Sequence, residues 1–299
     1  MDLHDHNGSA VGASQQFFQA PPEEIGQILT AHSTLKAGQK PRLWLRVLLS
    51  SLLASPFLGL GFAIYLDGSG GYNVVVGFFI AGMIAFIFGW LLFRFKRSCS
   101  YTGTKGVAFY TIKGSLHSKP KLSMFLFEKA VDLRVFNQLQ HFHGIYVMEY
   151  IFSWYNEQGR KVFSLRGTHT SEKNTPRIDH SFWYALAAEK AWTQYKIPWL
   201  EMQLAELGYV PFFSDGKKEV RIGPGFIDFI INDVSTRIPV EEIKTLQIDY
   251  DTFEVQNKNA KWLSGKGKYK IETKSLNNAC LLAYAVWRFL GQKPAYSLP

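Results

Sequence analysis

The sequence predicts a membrane α-hairpin attached to an α+β region of two β-rich units, each closed by a C-terminal helix. Two apolar runs of membrane-spanning length lie one short turn apart in the first third of the chain. After them, alternating segments rich in aromatic and β-branched residues are twice followed by a helical pattern. A mean hydropathy of −0.05 is too polar for a chain lying mostly in a bilayer, so the larger part is predicted to lie outside it.

The apolar runs are Val47–Leu66 and Val74–Phe93, and neither contains Asp, Glu, Lys or Arg. A helix of about 20 residues spans a hydrocarbon core of ~30 Å. The alternative is a buried hairpin of a soluble domain. Such helices usually carry a polar stripe, whereas the second run is apolar on every face, so we predict a transmembrane hairpin.

Small residues recur at near-helical spacing in the second run, which allows close packing of helices in a membrane. These helix-packing residues are Gly77, Ala81, Gly82, Ala85 and Gly89. We expect them to contact the first span or a helix of another protein.

Positive charges flank both outer ends of the hairpin, whereas the turn Asp67–Asn73 contains no Lys or Arg. Short flanks rich in Lys and Arg stay on the cytoplasmic side, so a multi-pass integral membrane protein with cytoplasmic N and C termini is predicted. Residues 1–40 contain no early apolar run, and the first span is expected to act as an uncleaved signal. The flanking cations are Lys36, Lys40, Arg42, Arg46, Arg94, Lys96, Arg97 and Lys105.

The net charge of +9 favours binding partners that carry negative charge. It favours the anionic lipids of a membrane surface. Nucleic acid is not predicted as a partner, because the chain has no helix-turn-helix, zinc-finger or RNA-binding signature. Cys99 and Cys280 are the only cysteines, and two distant cysteines make no disulfide framework.

Motifs for catalysis or metal binding are missing from the sequence. No GxSxG, HExxH, EF-hand or P-loop pattern is present. His141 and His143 could begin a zinc site, but such a site needs three or four ligands, and a polar hairpin loop is the preferred interpretation. No catalytic residue, metal or cofactor is therefore predicted.

The pattern divides the chain into four parts. A flexible cytoplasmic tail with a short helix over Pro22–Leu29 precedes the hairpin. The first β-rich unit ends in a helix predicted at Ser181–Tyr195, which Pro198 breaks before a second piece at Trp199–Leu207. The second unit ends in a helix predicted at Leu276–Leu290. The boundaries are 1–40 for the tail, 41–97 for the hairpin, 98–208 for the first unit and 209–299 for the second.

The two units resemble each other weakly. Gly106–Ile112 aligns with Gly225–Ile231. At one constant offset, Phe127-Glu128, Leu133 and Val135 align with Val240-Glu241, Leu246 and Ile248. These matches predict an internal duplication, the alternative being chance similarity between β-rich segments.

Two short motifs carry a family resemblance, Tyr101–Val107 with the sequence YTGTKGV and Ile238–Leu246 with the sequence IPVEEIKTL. With the hairpin before them, the chain resembles bacterial membrane proteins that carry pleckstrin-homology-like (PH-like) domains behind a transmembrane hairpin. The resemblance covers about two thirds of the chain. It implies two tandem PH-like β-sandwich or barrel units, each closed by a C-terminal helix, in a bacterial inner or plasma membrane. It supplies no catalytic residues, because the fold serves many binding tasks.

Two groups of lysines lie in predicted loops between strands. In phosphoinositide-binding relatives of the PH fold, such loops hold lipid phosphates. The resemblance therefore implies contact with anionic lipid headgroups, against the alternative of ordinary solvated loops. The predicted headgroup-binding residues are Lys113, Lys119, Lys121, Lys266, Lys268 and Lys270.

These observations predict a membrane-anchored, non-enzymatic interaction or scaffold protein. Its cytoplasmic units would bind anionic headgroups or a membrane or cytoplasmic protein partner, and homo-oligomers are compatible with the hairpin. The alternative is an accessory subunit of a membrane transport or envelope-polymer complex. A second alternative is an enzyme acting at the membrane surface.

Overall fold

The computed structural model describes residues 3–37, 43–68, 71–93, 95–114, 118–171, 175–214, 218–248, 252–260, 267–291 and 295–296. Within these residues, an apolar helical pair adjoins a largely antiparallel β-sheet region with a C-terminal helix. The coarse fold class predicted from the sequence is confirmed.

The apolar pair consists of α1 (Leu43–Asp67) and α2 (Tyr72–Leu92). These are the two helices in the described part of the chain that are long and apolar enough to cross a membrane. Most of their large apolar side chains are exposed, whereas a core helix of a soluble protein would bury them. The helices coincide with the two predicted spans and extend the first of them at its N-terminal end.

Small residues set the distance between α1 and α2. A Cβ atom added at Gly82 would lie 2.6 Å from Leu58 Cδ2, and one added at Gly89 would lie 3.1 Å from Ser50 Cα. Gly82 and Gly89 therefore permit the close approach of the helices. Of the other helix-packing residues named above, Ala81 and Ala85 are half-buried and Gly77 is exposed on α2.

Arg46 ties the outer ends of the hairpin together. Its guanidinium donates to the Trp90 carbonyl through Nε at 2.9 Å and also through Nη2, and its Cζ lies 3.8 Å from the centre of the Trp90 ring. A cation at the C-terminal end of α2 satisfies a terminal carbonyl and complements the helix dipole. The contact places both ends of the hairpin side by side.

The first unit contains two antiparallel sheets and a helix. Its elements are β1 (Ile28–Ser33), β2 (Lys96–Gly103), β3 (Gly106–Lys113), β4 (Lys121–Leu126), β5 (Asp132–Phe142), β6 (Ile145–Tyr155), β7 (Lys161–Ser171) and α3 (Ser181–Leu207). One sheet has the order β1-β2-β3-β4 and the other the order β5-β6-β7. Side chains from both sheets and from the first half of α3 form one core, which includes Phe127, Trp154 and Trp192.

The N-terminal segment differs from the predicted flexible tail. Instead of a helix over Pro22–Leu29, Glu23–Ile25 forms one 3-10 turn, and β1 then pairs antiparallel with β2, with Ser33 opposite Cys99. The pairing was not visible locally, because the partner strand lies beyond both apolar helices. The hairpin is thus inserted between two neighbouring strands of the first sheet.

Residues before β1 also cover the outer face of this sheet. Phe17 and Phe18 pack against a small second core on that face. Its buried members are Ile25, Ala31, Cys99, Tyr101, Ala108 and Tyr110. The first sheet is therefore covered on both faces, and the segment ahead of the hairpin belongs to the first unit.

The second unit repeats the element order of the first, with an added 3-10 turn at Thr273–Ser275 before its helix and an added short strand after it. Its elements are β8 (Val210–Ser214), β9 (Lys218–Gly223), β10 (Phe226–Ile231), β11 (Val234–Pro239), β12 (Ile243–Ile248), β13 (Thr252–Asn257), β14 (Lys268–Glu272), α4 (Ala279–Leu290) and β15 (Ala295–Tyr296). The sheet orders are β11-β10-β9-β8 and β14-β13-β12-β15. One 3-10 turn separates the two sheets in each unit, at Phe127–Lys129 and at Val240–Glu242.

Burial refines the alignment of the repeats. Val107 on β3 and Ile227 on β10 both point into the core between the sheets of their units, whereas Ala108 points to the outer face. Val107 therefore corresponds to Ile227, whereas the predicted alignment set Ala108 against Ile227. The difference of one residue matters because it exchanges the two faces of a strand. The aligned Leu133 and Leu246 do lie in equivalent strands.

The predicted break at Pro198 is wrong, because α3 runs unbroken through it. Proline removes one backbone donor from a helix, and here its exposed ring is tolerated. Gly208, in the left-handed conformation (φ 74°), ends the helix, and its N–H donates to the Leu204 carbonyl at 2.8 Å. Trp192 is buried in the first core and Leu200 in the second, so α3 runs between both units.

We expect the change Ala31→Asp to destabilise the first unit by about 3 kcal/mol or more, because it places a carboxylate in a fully buried position on β1. Thermal unfolding in detergent, followed by tryptophan fluorescence, measures the effect. The matched control is Ala37→Asp, at an exposed position of the same segment. Equal melting temperatures for the two variants would contradict the role assigned to β1.

Candidate functional site

The basic end of the first sheet lies next to the apolar hairpin. β2 begins at Lys96, four residues after the last residue of α2, and four residues reach at most about 14 Å. Lys96 is paired with Lys113, and the exposed Lys121 begins β4 opposite Thr111. Lys113, Lys119 and Lys121 are all exposed. Chain connectivity therefore keeps this set of lysines close to the end of the hairpin.

The second predicted set lies on another sheet. Lys268 and Lys270 are exposed on β14, opposite Gln256 and Glu254 of β13. Lys266 lies outside the described residues. A lysine across from a glutamate is partly neutralised, and nothing in the chain connectivity brings β14 to the hairpin. The structure therefore places the two predicted sets in different units.

A buried asparagine connects the two units. Asn278 Nδ2 donates to Asp132 Oδ1 at 2.9 Å, and Asn278 Oδ1 accepts from the Leu133 backbone N–H at 2.9 Å and from Trp192 Nε1 at 3.1 Å. The Asn278 backbone N–H also donates to the Leu133 carbonyl at 2.8 Å. Asn278 is 4% exposed and adopts the left-handed conformation that asparagine tolerates. It therefore joins β5 and α3 of the first unit to the start of α4.

The neighbouring groups complete this junction. Asn277 Nδ2 donates to Asp132 Oδ2 at 2.7 Å, while Asn277 Oδ1 accepts from Arg134 Nε at 2.7 Å. Both oxygens of the Asp132 carboxylate thus accept an amide N–H. The Lys196 ammonium lies 4.8 Å from the Trp199 ring centre. Burial raises the pKa of Asp132 and lowers the pKa of Lys196, against the attraction between the two charges.

A second polar cluster holds the N-terminal segment on the first sheet. His6 contacts Thr30 Oγ1 through Nδ1 at 2.8 Å and Ser100 Oγ through Nε2 at 2.9 Å. The Asp5 carboxylate lies 2.9 Å from His32 Nδ1. Burial lowers the pKa of His6 to about 3, so the ring is neutral near neutral pH. Asp5 and His6 are both buried, which makes this cluster a structural attachment that a substrate does not reach.

The histidines proposed as the start of a zinc site do not converge. His141 is on β5 and stacks on Tyr146, with ring centres 4.4 Å apart, whereas His143 lies in the following turn with φ 48°. Across the described part of the chain, no group of three or more His, Cys, Asp or Glu side chains is placed to hold a metal ion. The preferred interpretation, a hairpin turn, fits this geometry.

Comparison with protein-family models and with curated proteins gives no match to this chain. The candidate site therefore rests on its own geometry. Sequence patterns did not reveal the junction at Asn278, since its partners on β5 lie about 145 positions away and Trp192 lies 86 positions away. A local signal existed in the Asn277-Asn278 pair ahead of an apolar helix, because asparagine is favoured where a helix begins.

We expect Asn278→Ala to lower the free energy of unfolding by about 2–4 kcal/mol, because it leaves the buried Trp192 Nε1 and Leu133 N–H groups without their acceptor. Urea unfolding in detergent measures the change. Asn259→Ala, at an exposed turn position, is the control and should cost much less. An equal decrease in the free energy of unfolding for the two variants would show that the Asn278 junction does not stabilise the fold.

Glu189, at the contact between α3 and α4, makes the free energy of unfolding depend on pH. This half-buried carboxyl lies on α3 close to Cys280 of α4, and burial raises its pKa from 4.5 to about 7, with Lys190 partly opposing the rise. The folded state then holds the proton more tightly than the unfolded chain does. The free energy of unfolding should therefore fall as pH rises from about 4.5 to about 7, by at most about 3 kcal/mol.

We expect the free energy of unfolding of Glu189→Gln to stay nearly constant between pH 4.5 and 7, because the amide carries no proton that titrates in this range. Urea unfolding at a series of pH values between 4.5 and 8 measures it. The control is Glu206→Gln, at an exposed position near the end of the same helix, which should keep the wild-type profile. Parallel profiles for wild type and Glu189→Gln would show that this carboxyl is not responsible.

Proposed function

We propose that this chain is a membrane-anchored, non-enzymatic interaction protein whose first β-rich unit contacts anionic lipid headgroups. The observation that carries the proposal is the insertion of the apolar hairpin between β1 and β2. Because the strands on either side of the hairpin are paired, the first sheet is held at the end of the hairpin. Its lysines Lys113, Lys119 and Lys121 then face the region where headgroups lie.

The membrane assignment is supported by the ends of the two helices. Trp44 and Tyr65 lie near the ends of α1, and Tyr72 and Trp90 near the ends of α2. Amphipathic aromatic residues at such positions favour the interface between lipid and water. With cations on both outer flanks, we propose a multi-pass protein of a bacterial inner or plasma membrane, with both termini and both β-rich units in the cytoplasm.

We further propose that both β-rich units are PH-like. In each, a sheet, a 3-10 turn, a second sheet and a helix follow in the same order, and in the second unit one short strand after the helix joins the second sheet. The core of each unit lies between its sheets and is completed by helix α3 or α4. This arrangement supports a binding role for the units, with the second unit presenting Lys268 and Lys270 as a separate candidate surface.

A second function is favoured by one feature of α2. Gly77 is exposed, and a Cβ atom added there would meet nothing within 4 Å. Ala81 continues the same row of small residues. A helix of another membrane protein could approach α2 closely along this row, as an accessory subunit of a transport or envelope-polymer complex would require.

The headgroup contact is tested by acetylating lysines of the full-length protein in nanodiscs of neutral lipid and of mixed neutral and anionic lipid. We expect the reactivity of Lys113, Lys119 and Lys121 to fall several-fold in the anionic discs, because bound headgroup phosphates shield the amines. Mass spectrometry reads the modification at each lysine. Lys244, exposed on β12, is the internal control.

Unchanged reactivity of these three lysines would contradict the proposed contact. A fall confined to Lys268 and Lys270 would move the contact to the second unit. Lower reactivity of all lysines, Lys244 included, would reflect a general attraction of the protein to the charged disc. It would also overturn the assignment of the contact to the first sheet.

A further inference from the structure

The outer edge of β5 is open along residues 135–142. β5 is the end strand of its sheet and pairs with β6 on its inner side. At its beginning, the Asn278 backbone occupies the outer edge by donating to the Leu133 carbonyl. Beyond that point, none of the described strands pairs with it. An open strand edge presents backbone N–H and C=O groups that can accept another strand.

After Asp132 and Arg134 at its beginning, β5 carries no charge, proline or bulge. Natural proteins protect edge strands with charges, prolines, bulges or short length. β1 has a bulge and β15 has two residues. The remaining described edges carry charges or prolines at Lys121, Lys161, Arg166, Pro211, Arg237, Pro239, Lys268, Lys270 and Glu272. By contrast, residues 135–142, VFNQLQHF, contain no Asp, Glu, Lys, Arg, Pro or Gly.

The sequence along this edge is nearly symmetric about Leu139. In an antiparallel pair of two copies centred there, Leu139 would oppose itself and Gln138 would oppose Gln140. Asn137 would oppose His141. In this register, apolar side chains lie opposite apolar ones and polar side chains lie opposite polar ones. No like charges oppose each other, which favours stable cross-strand pairing. Gln138, Leu139, Gln140 and His141 are all exposed and available for such pairing.

We infer that β5 is a self-association edge, at which a second copy of this chain adds its own β5 in antiparallel orientation around Leu139. The pairing joins two three-stranded arrays into one continuous sheet across a two-fold axis. A second copy fits this edge because the uncharged, symmetric sequence complements itself. This inference does not depend on whether the lysines of the first sheet contact lipid.

Disulfide cross-linking of the full-length protein in native membranes tests the register. Cysteine is placed in turn at Asn137, Leu139 and His141, which share one side of β5. Val162→Cys on β7 is the control, because Val162 is 41% exposed and Leu139 is 45% exposed. Burial raises the pKa of the native Cys99 to about 11 and of Cys280 to about 12, so both react slowly.

We expect mild oxidation to link two copies through Leu139→Cys at least about tenfold faster than through Val162→Cys, since paired strands hold the two thiols at high effective concentration. The linked fraction is read on a non-reducing gel. Equal rates at positions 139 and 162, or faster linkage at 137 or 141 than at 139, would overturn the proposal.

A charge placed on the edge provides the second test. Leu139→Lys puts two like charges opposite each other and should convert the dimer to a monomer, whereas Val162→Lys should leave the dimer intact. The mass of the full-length protein in nanodiscs or detergent, with circular dichroism to confirm folding, reads the outcome. A wild type that is monomeric in membranes, or a dimer that survives Leu139→Lys, would overturn the inference.

Discussion

The antiparallel pairing of β1 with β2 is the constraint on which the rest of the structure depends. β1 ends before the apolar hairpin and β2 begins after it, so the pair closes a loop of roughly 60 residues. That closure is compatible with the hairpin because α1 and α2 return the chain to the side from which it left, where Arg46 holds Trp90. The hairpin and the first sheet therefore fix each other's position.

The two units use one framework for different surfaces. In the first, the outer face of the sheet is apolar and is covered by the segment ahead of β1. In the second, the corresponding face carries ion pairs: Arg237 donates to both oxygens of Asp228 at 2.8 Å and lies over Phe226, and Arg221 pairs with Glu219. The second face can therefore meet water without such a cover.

Local patterns predicted the parts of the fold that depend on neighbouring residues. The two apolar helices, the alternating β-rich segments and the helix α4 follow from length, alternation and helical periodicity. β1 and Asn278 were missed because their partners are distant in sequence, and a strand of six residues after prolines and acids has no strong signal of its own. The predicted helix break at Pro198 was wrong because the burial of Trp192 and Leu200, on either side of the proline, outweighs the loss of one backbone hydrogen bond. Of the candidate site, the lysines and their division between the two units were predictable. The cross-strand pairings of Lys113 with Lys96 and of Lys270 with Glu254 were not, because strand register depends on residues that are distant in sequence.

The position of the hairpin within the first sheet also has a consequence during biosynthesis. β1 leaves the ribosome before either apolar helix and must wait, unpaired, until β2 follows. If a single helix entered the bilayer, β1 and β2 would stand on opposite sides of it and the sheet could never close. On the proposed membrane topology, the first sheet can therefore close only if α1 and α2 cross the bilayer together, and a chain with one helix inserted would remain unfolded and open to proteolysis.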